Sequence, residues 1–307
     1  MQRKWLLIHA VKLWREWGDD SYVARALEAL SDVNRLLGLH EEGVRQAKEA
    51  LEIYGRLDDN SGQAQCWQQL AWLFWNDNQL DAAQEAGSRA LDLLPDGRNK
   101  FLVCRCHRVL GHICHSKGET EGAIDHFETA LEISPSHDEQ FWIHFNLAVL
   151  FFGENRFDDA QIHVERAKLY AVNSSYLLAC AMELQARIWC AQCGFEEAKS
   201  AALRATNVFR KLGAAKEVER CRVIVQNIEE GAKTLVASDE PDSNGESWAQ
   251  CHSPCLLILY SQCIVVNDDV NAMPPISSSQ QPISGRISRS NLSRSSLLLL
   301  SPSPLFP

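Results

Sequence analysis

A set of eight residues recurs, position for position, forty residues further along the chain, and this narrows the possible folds more than any other feature. Trp67, Leu70, Ala71, Phe74, Ala83, Gly87, Ala90 and Pro95 are followed by His107, Leu110, Gly111, Cys114, Ala123, Phe127, Ala130 and Pro135. Steps of three and four within each half of the set mark amphipathic helices. The small residues at 71 and 111, with alanine twelve residues later, predict two helices that cross at close backbone approach. Bulky side chains at the flanking positions fill the space around that crossing. Each proline falls where the second helix must stop, because its ring removes a backbone donor and clashes with the preceding turn.

Three weaker copies keep the same frame. Leu27, Leu30, Ser31, Gly43, Ala47 and Ala50 precede the strong pair; His144, Leu147, Ala148, Phe151, Ala160, Val164 and Ala167 come next; Met182, Ala186, Trp189, Ala198, Ala202 and Ala205 close the series. The small residue of the first helix thus falls at 31, 71, 111, 148 and 186. An ordinary helical bundle shares the 3.6-residue period but does not repeat small residues at fixed places five times. The pattern resembles the tetratricopeptide repeat, whose minimum period is about 34 residues. Longer steps predict extended second helices or longer turns between repeats. The expected fold is all-α, a solenoid in which antiparallel helix pairs stack into a right-handed superhelix with a continuous core.

Both ends of the array are legible. Ala10, Trp14, Trp17 and Gly18 align with Ala50, Tyr54, Leu57 and Asp58, so residues 1–20 read as the second half of a repeat. Five helix pairs are expected over about 22–212. A capping helix follows over about 215–230, because Arg222, Gln226 and Glu229 put polar groups where a further pair would stack. The array therefore spans 1–235. Eight of the ten prolines lie beyond it, in a serine-rich segment over 236–307 whose composition predicts disorder.

Charge and composition exclude several functions. A net charge of −10 and a pI near 5.5 argue against general affinity for nucleic acid, which needs clustered Lys and Arg. No apolar run is long enough to span a membrane. The opening MQRKWLLIHAVKLW is broken by His9 and Lys12 and lacks a cleavage site, so it reads as a helix and not as an export signal. A cytoplasmic location with reduced cysteines is the expectation. No phosphate loop, HExxH, GxSxG or dinucleotide fingerprint occurs, so neither an enzyme nor a cofactor is expected. The stretch CRCHRVLGHICHS gathers Cys104, Cys106, His107, His112, Cys114 and His115, but one straight helix cannot converge four ligands on a metal. The CxxC of Cys190 and Cys193 has no second pair and no redox setting.

Residues 10–235 further resemble fungal tetratricopeptide proteins whose arrays follow a NACHT- or AAA-type NTPase domain. The resemblance rests on CHRVLGHICHSKGETEGAIDHFETALEI, FWIHFNLAVLFFGENRFDDAQIHVERAKLYAV and FEEAKSAALRATNVFRKLGAAKEVERCR. It implies a sensor or regulatory arm for a catalytic domain that this chain lacks. The segment after about Ser247 does not share the likeness.

In such arrays the first helix of each pair lines the concave face. That frame places Gln65, Gln68, Gln69, Trp72, Trp75 and Asn76 on the groove, then Arg105, Arg108, His112 and His115. Trp142, Phe145, Asn146 and Phe152 follow, and Glu183 and Arg187 complete it. Aromatics beside arginine are residue types that anchor interfaces. The expected partner is a protein or peptide, and a basic centre suits one that carries an acidic group. The two-carboxylate clamp that binds chaperone C-termini is not matched: Glu28 and Asp32 stand where it needs Lys and Asn, and Val109 where it needs Arg.

Overall fold

The computed structural model describes residues 2–94, 99–134 and 136–238. Pro95, Pro135 and the segment from residue 239 onward, with the expectations placed on them, lie outside the described residues. Twelve α-helices and no strand occur among those described. They are α1 Gln2–Trp17, α2 Asp20–Leu36, α3 His40–Arg56, α4 Asn60–Asn76, α5 Leu80–Asp92 and α6 Lys100–Ser116. The series continues with α7 Thr120–Ile133, α8 His137–Gly153, α9 Phe157–Tyr170, α10 Ser175–Ala191, α11 Phe195–Leu212 and α12 Ala215–Ser238. The last helix runs on past residue 230, where the sequence suggested an end.

Local chemistry sets the helix boundaries in a regular alternation. The first helix of each of the five pairs starts after a polar side chain that accepts a backbone N–H one turn inside. Asp59 accepts from Gly62 at 2.9 Å, Asn99 from Leu102 at 3.1 Å, and Ser136 and Ser174 do the same for Glu139 and Leu177 at 3.3 Å. Such caps satisfy one of the four donors that a helix start leaves open. The second helices α3, α5, α7, α9 and α11 have no side-chain cap. Each follows a tight turn with one residue at positive φ: Gly38, Asn78, Gly118, Asn155 and Cys193. Glycine and asparagine adopt that geometry at little cost, whereas the Cβ of Cys193 meets its own backbone.

Close crossings form where the small residues predicted them. Ala71, Ala83, Ala123, Ala148, Ala160, Ala186 and Ala198 are fully buried. The Ser31 hydroxyl donates to the Gly43 carbonyl across the first crossing at 2.9 Å. A methyl group on Gly111 would lie 2.8 Å from the ring of Phe127, so only glycine fits there without movement. The step between these small positions is constant within a pair, so the extra length of the repeat falls later. It is taken up by the 17-residue α3 and by the connection between Asp92 and Lys100.

Each pair packs as a hairpin, and α3, α5, α7 and α9 also rest on the first helix of the next pair. The first helices touch one another in series, α2 on α4, α4 on α6, α6 on α8, α8 on α10 and α10 on α12. They form the inner layer of a solenoid and the second helices the outer one. The core divides into successive clusters along the array, the largest drawing on residues from Cys104 to Cys221 and including Phe127, Phe141, Leu147 and Phe209. At the start, Gly18 repeats the left-handed turn made by Asp58, and Trp14 stacks on Tyr22 at 4.2 Å. At the end, α12 buries Cys221, Ile224 and Ile228 and leaves Arg222, Gln226 and Glu229 outward.

Candidate partner-binding face

Residues one helical turn apart on α2, α4, α6, α8 and α10 share the inner layer, so the face is a ladder of short side-chain rows. Glu28, Asp32 and Arg35 form the first row, and Gln65, Gln68, Gln69 and Trp72 the second. Arg105, Arg108 and His112 follow, then Trp142, Phe145 and Asn146, then Glu183 and Arg187. The rows are packed together more tightly than an open groove would be.

Trp72 sits at the centre and is only 4% exposed. The Arg35 and Arg108 guanidinium carbons lie 5.9 and 5.6 Å from its ring centre. The electron-rich ring faces attract both cations. Trp75 meets Trp72 edge-on at 5.4 Å, and His112 contacts both rings at 5.2 and 5.1 Å. Trp75 also donates its indole N–H to the Ser116 hydroxyl at 2.8 Å. The Asn146 amide lies 3.0 Å from His112 Nε2. Burial, and then the nearby Arg108 charge, hold the His112 pKa well below its ordinary value. The ring is therefore neutral, and with Nε2 accepting from Asn146 its proton resides on Nδ1.

Most of the arginines on this face already have partners. Arg35 donates to Asp32 at 2.9 Å, and burial of Asp32, which opposes ionisation, is outweighed by Arg35 and Arg105, so its pKa falls. Arg108 lies 3.6 Å from the Glu139 carboxylate, both being nearly buried. Glu183 takes Arg187 at 2.8 Å on one oxygen and accepts both arms of Arg220 at 3.0 Å. Arg105 differs. It is partly exposed, lies over the Phe101 ring at 5.6 Å, and makes no ion pair within 4.0 Å among the described residues. Its acidic surroundings are Glu28 and Asp32, and Asp32 is committed to Arg35. Burial pushes the Glu28 carboxyl up to about 7, although the Tyr54 hydroxyl and Arg105 pull the other way. Near neutrality Glu28 is thus only part-ionised, and the charge of Arg105 is incompletely offset.

Gln65 donates to Glu28, which ties the first two rows together. Gln68 is fully buried, and among the described residues neither its amide nitrogen nor its oxygen meets a hydrogen-bond partner; the Gln69 oxygen also lacks one there. Trp142 and Phe145 are 9% and 8% exposed and pack edge-to-face at 5.9 Å, so they fill space between repeats. Asn76 ends α4 and is partly exposed. The structure therefore joins Trp72, Trp75, Arg108, His112 and Asn146 in one contact chain. Gln65 belongs to the Glu28 row, Trp142 and Phe145 to an aromatic cluster, and Arg187 to a separate ion-pair group. Sequence reasoning passed over Arg35, Glu139 and Arg220. Arg35 and Arg220 occupy groove positions in the same repeat frame and could have been found. Glu139 lies one turn before that frame begins and gave no signal.

The other clusters named from the sequence divide similarly. Cys104, Cys106 and Cys114 are buried in the packing of α6. Cys190 is buried on α10 while Cys193 is exposed in the following turn, so the CxxC does not present two thiols on one helix face. No helix among the described residues is long and apolar enough to cross a membrane.

Two stretches, residues 22–96 and 103–168, match the tetratricopeptide repeat family model. No curated protein matches the sequence. Solved structures of similar fold include aspartyl phosphate phosphatase F from Bacillus subtilis, 15% identical with a TM-score of 0.50. That match covers 67% of this chain and 59% of the phosphatase, so this chain spans little more than half of that protein. A Rap protein complexed with competence and sporulation factor is 16% identical with a TM-score of 0.51, covering 76% of this chain and 72% of that one. BtubC from P. vanneervenii is 17% identical with a TM-score of 0.51, covering 82% and 98%. At such identities the likeness is one of fold.

Proposed function

Starting from a chain that carries tetratricopeptide repeats on a helical solenoid, we propose that its inner layer is a protein-interaction surface that captures an extended peptide or protein segment bearing an acidic group. The observation that carries this reading is the contrast among the arginines. Arg35, Arg187 and Arg220 are hydrogen-bonded to carboxylates and the nearly buried Arg108 faces Glu139 at 3.6 Å, whereas Arg105 is partly exposed and makes no ion pair among the described residues. A carboxylate or phosphate on a partner would complete its charge-assisted hydrogen bonds. Trp75 and His115, both partly exposed, extend the surface along the same layer. The paired arginines and packed tryptophans act as the rigid floor beneath it. The Rap protein of similar fold, solved as a complex with competence and sporulation factor, accords with a receiving role for such arrays.

This role requires no catalytic group, cofactor or nucleic acid, and a cytoplasmic setting with reduced thiols belongs to the same reading. The alternative, a regulatory arm serving a NACHT- or AAA-type NTPase, rests on the sequence resemblance alone, and no observation of the inner face favours it. The test is a display selection of random linear peptides on the full chain, with Arg105→Glu as counter-selection. Recovered peptides are expected to be rich in Asp, Glu or a terminal carboxylate and to lose at least tenfold in affinity on Arg105→Glu. Peptides without acidic enrichment, or binding unaltered by the charge reversal, would overturn the reading.

A further inference from the structure

Outside the inner face, the hairpins of the third and fourth repeats share an arrangement of histidines. His107 on α6 and His126 on α7 bring their Nδ1 atoms to 3.1 Å, with ring centres 5.3 Å apart and planes tilted by 46°. One repeat later, His144 on α8 and His163 on α9 bring Nδ1 to Nδ1 at 3.1 Å, with ring centres 5.2 Å apart and a tilt of 48°. Both pairs span 19 residues and link the first helix of a hairpin to its second.

A pair of imidazoles placed this way has two uses. One ring can donate its Nδ1–H to the other, which pins the hairpin. Alternatively, both Nδ1 lone pairs can face one ion. Two nitrogens about 2.0–2.1 Å from a tetrahedral metal stand roughly 3.3 Å apart, so the observed separation matches chelation to within a few tenths of an ångström, and each ring turns from its neighbour toward the shared ion. The protonation state also suits a ligand. Burial first, and then the neighbouring imidazole, lower the His107 pKa; burial lowers that of His126 against the opposing pull of Asp125. Both shifts favour the neutral imidazole, the form that coordinates a metal. The second pair is less favourable. His144 and His163 are both lowered to about 4 by burial, and Arg166 places a cation beside each, offset at His163 only by Asp159. His144 is also nearly inaccessible and lies against the Tyr170 ring, whereas His107 and His126 are each partly open to solvent.

We propose that His107 and His126 form a two-imidazole site for a divalent late transition metal, zinc in the first instance, and that His144 and His163 form a weaker copy. Among the described residues no third His, Cys, Asp or Glu joins either pair to make a fuller cluster. Two coordination positions therefore stay open for water or for a donor brought by a partner. On binding, the ring that donated Nδ1–H carries its proton on Nε2 instead, so no net proton is released near neutrality.

The test is a zinc chloride titration of the full chain, with the imidazole nitrogens followed by ¹H–¹⁵N correlation spectra. Nitrogen readout is needed because the chain also has eleven cysteines, which can take zinc by themselves. The Nδ1 resonances of His107 and His126 are expected to move together to saturation at lower zinc than those of His144 and His163. His126→Ala should abolish the His107 response and leave the second pair titrating. His126→Asn, which retains a hydrogen-bonding amide beside His107 but no chelate, should also abolish it, so a loss caused by unfolding is distinguishable by circular dichroism. Unmoved Nδ1 resonances in the native chain, or an unchanged His107 response in a folded His126 variant, would overturn the proposal.

Discussion

Replacing Gly111 by alanine adds one methyl group at the tightest crossing of the third repeat. The new Cβ would lie 2.8 Å from one Phe127 ring carbon and 3.0 Å from two more. Phe127 is 1% exposed and stiff, so it cannot swing aside. Overpacking of this kind costs about 1–3 kcal/mol. The same change relieves the conformational cost of glycine in a helix, which contributes about 1 kcal/mol in the opposite sense. Gly55, on the exposed side of α3, isolates that second effect, because nothing lies within 4 Å of a methyl group there. Gly55→Ala should therefore stabilise by about 0.5–1 kcal/mol. The difference between the two variants removes the propensity contribution and leaves about 1–3 kcal/mol for the crossing alone. Urea unfolding followed by far-ultraviolet circular dichroism measures both, with the slope compared as well as the midpoint. If Gly111→Ala gains as much stability as Gly55→Ala, the helices do not cross where the repeat frame puts them, and the reasoning from small residues fails.

Glu28 gives a prediction on pH. Its carboxyl titrates near 7 in the folded protein against an ordinary 4.5, so between those values the native state retains a proton that the unfolded chain has lost. Stability should fall as pH rises through that window and level off above 7, by about 3 kcal/mol in all. Glu28→Gln should flatten the slope in a series of urea midpoints; an unchanged slope would refute the assignment. At the turn before α11, Cys193→Asn should stabilise by about 0.5–1 kcal/mol, since the left-handed geometry at φ 62° costs cysteine more than the asparagines that serve in two other repeats. A loss of stability in thermal melts would show that another contact of Cys193 outweighs the strain.

The framework was legible because it depends on residue size at fixed spacing. Ala71, Gly111, Ala148 and Ala186 report a backbone distance, and no partner has to be known to read it. The inner face was legible only as a set of positions. Gln68, Trp72, Trp142 and Phe145 lie on first helices, but their burial depends on how closely neighbouring first helices approach, which the repeat frame does not encode. The neutralisation of Arg108 depends on Glu139 on α8, and Glu183, which pairs with Arg187 on its own helix, is shared with Arg220 on α12; both contacts between helices arise at a register that pairwise packing decides. The histidines show the same limit. A search along α6 finds no convergent ligands, because the partner of His107 stands 19 residues away on α7.

The most direct measurement is site-specific photo-crosslinking of a display-selected acidic peptide to the full chain. The crosslinking residue is placed either at Gln65, in the inner layer beside Glu28, or at Glu128, exposed on the second helix α7. Capture by the inner face predicts a strong adduct from position 65 that excess unlabelled peptide abolishes, and none above background from position 128. Equal yields from both positions, or an adduct from position 128 alone, would contradict it.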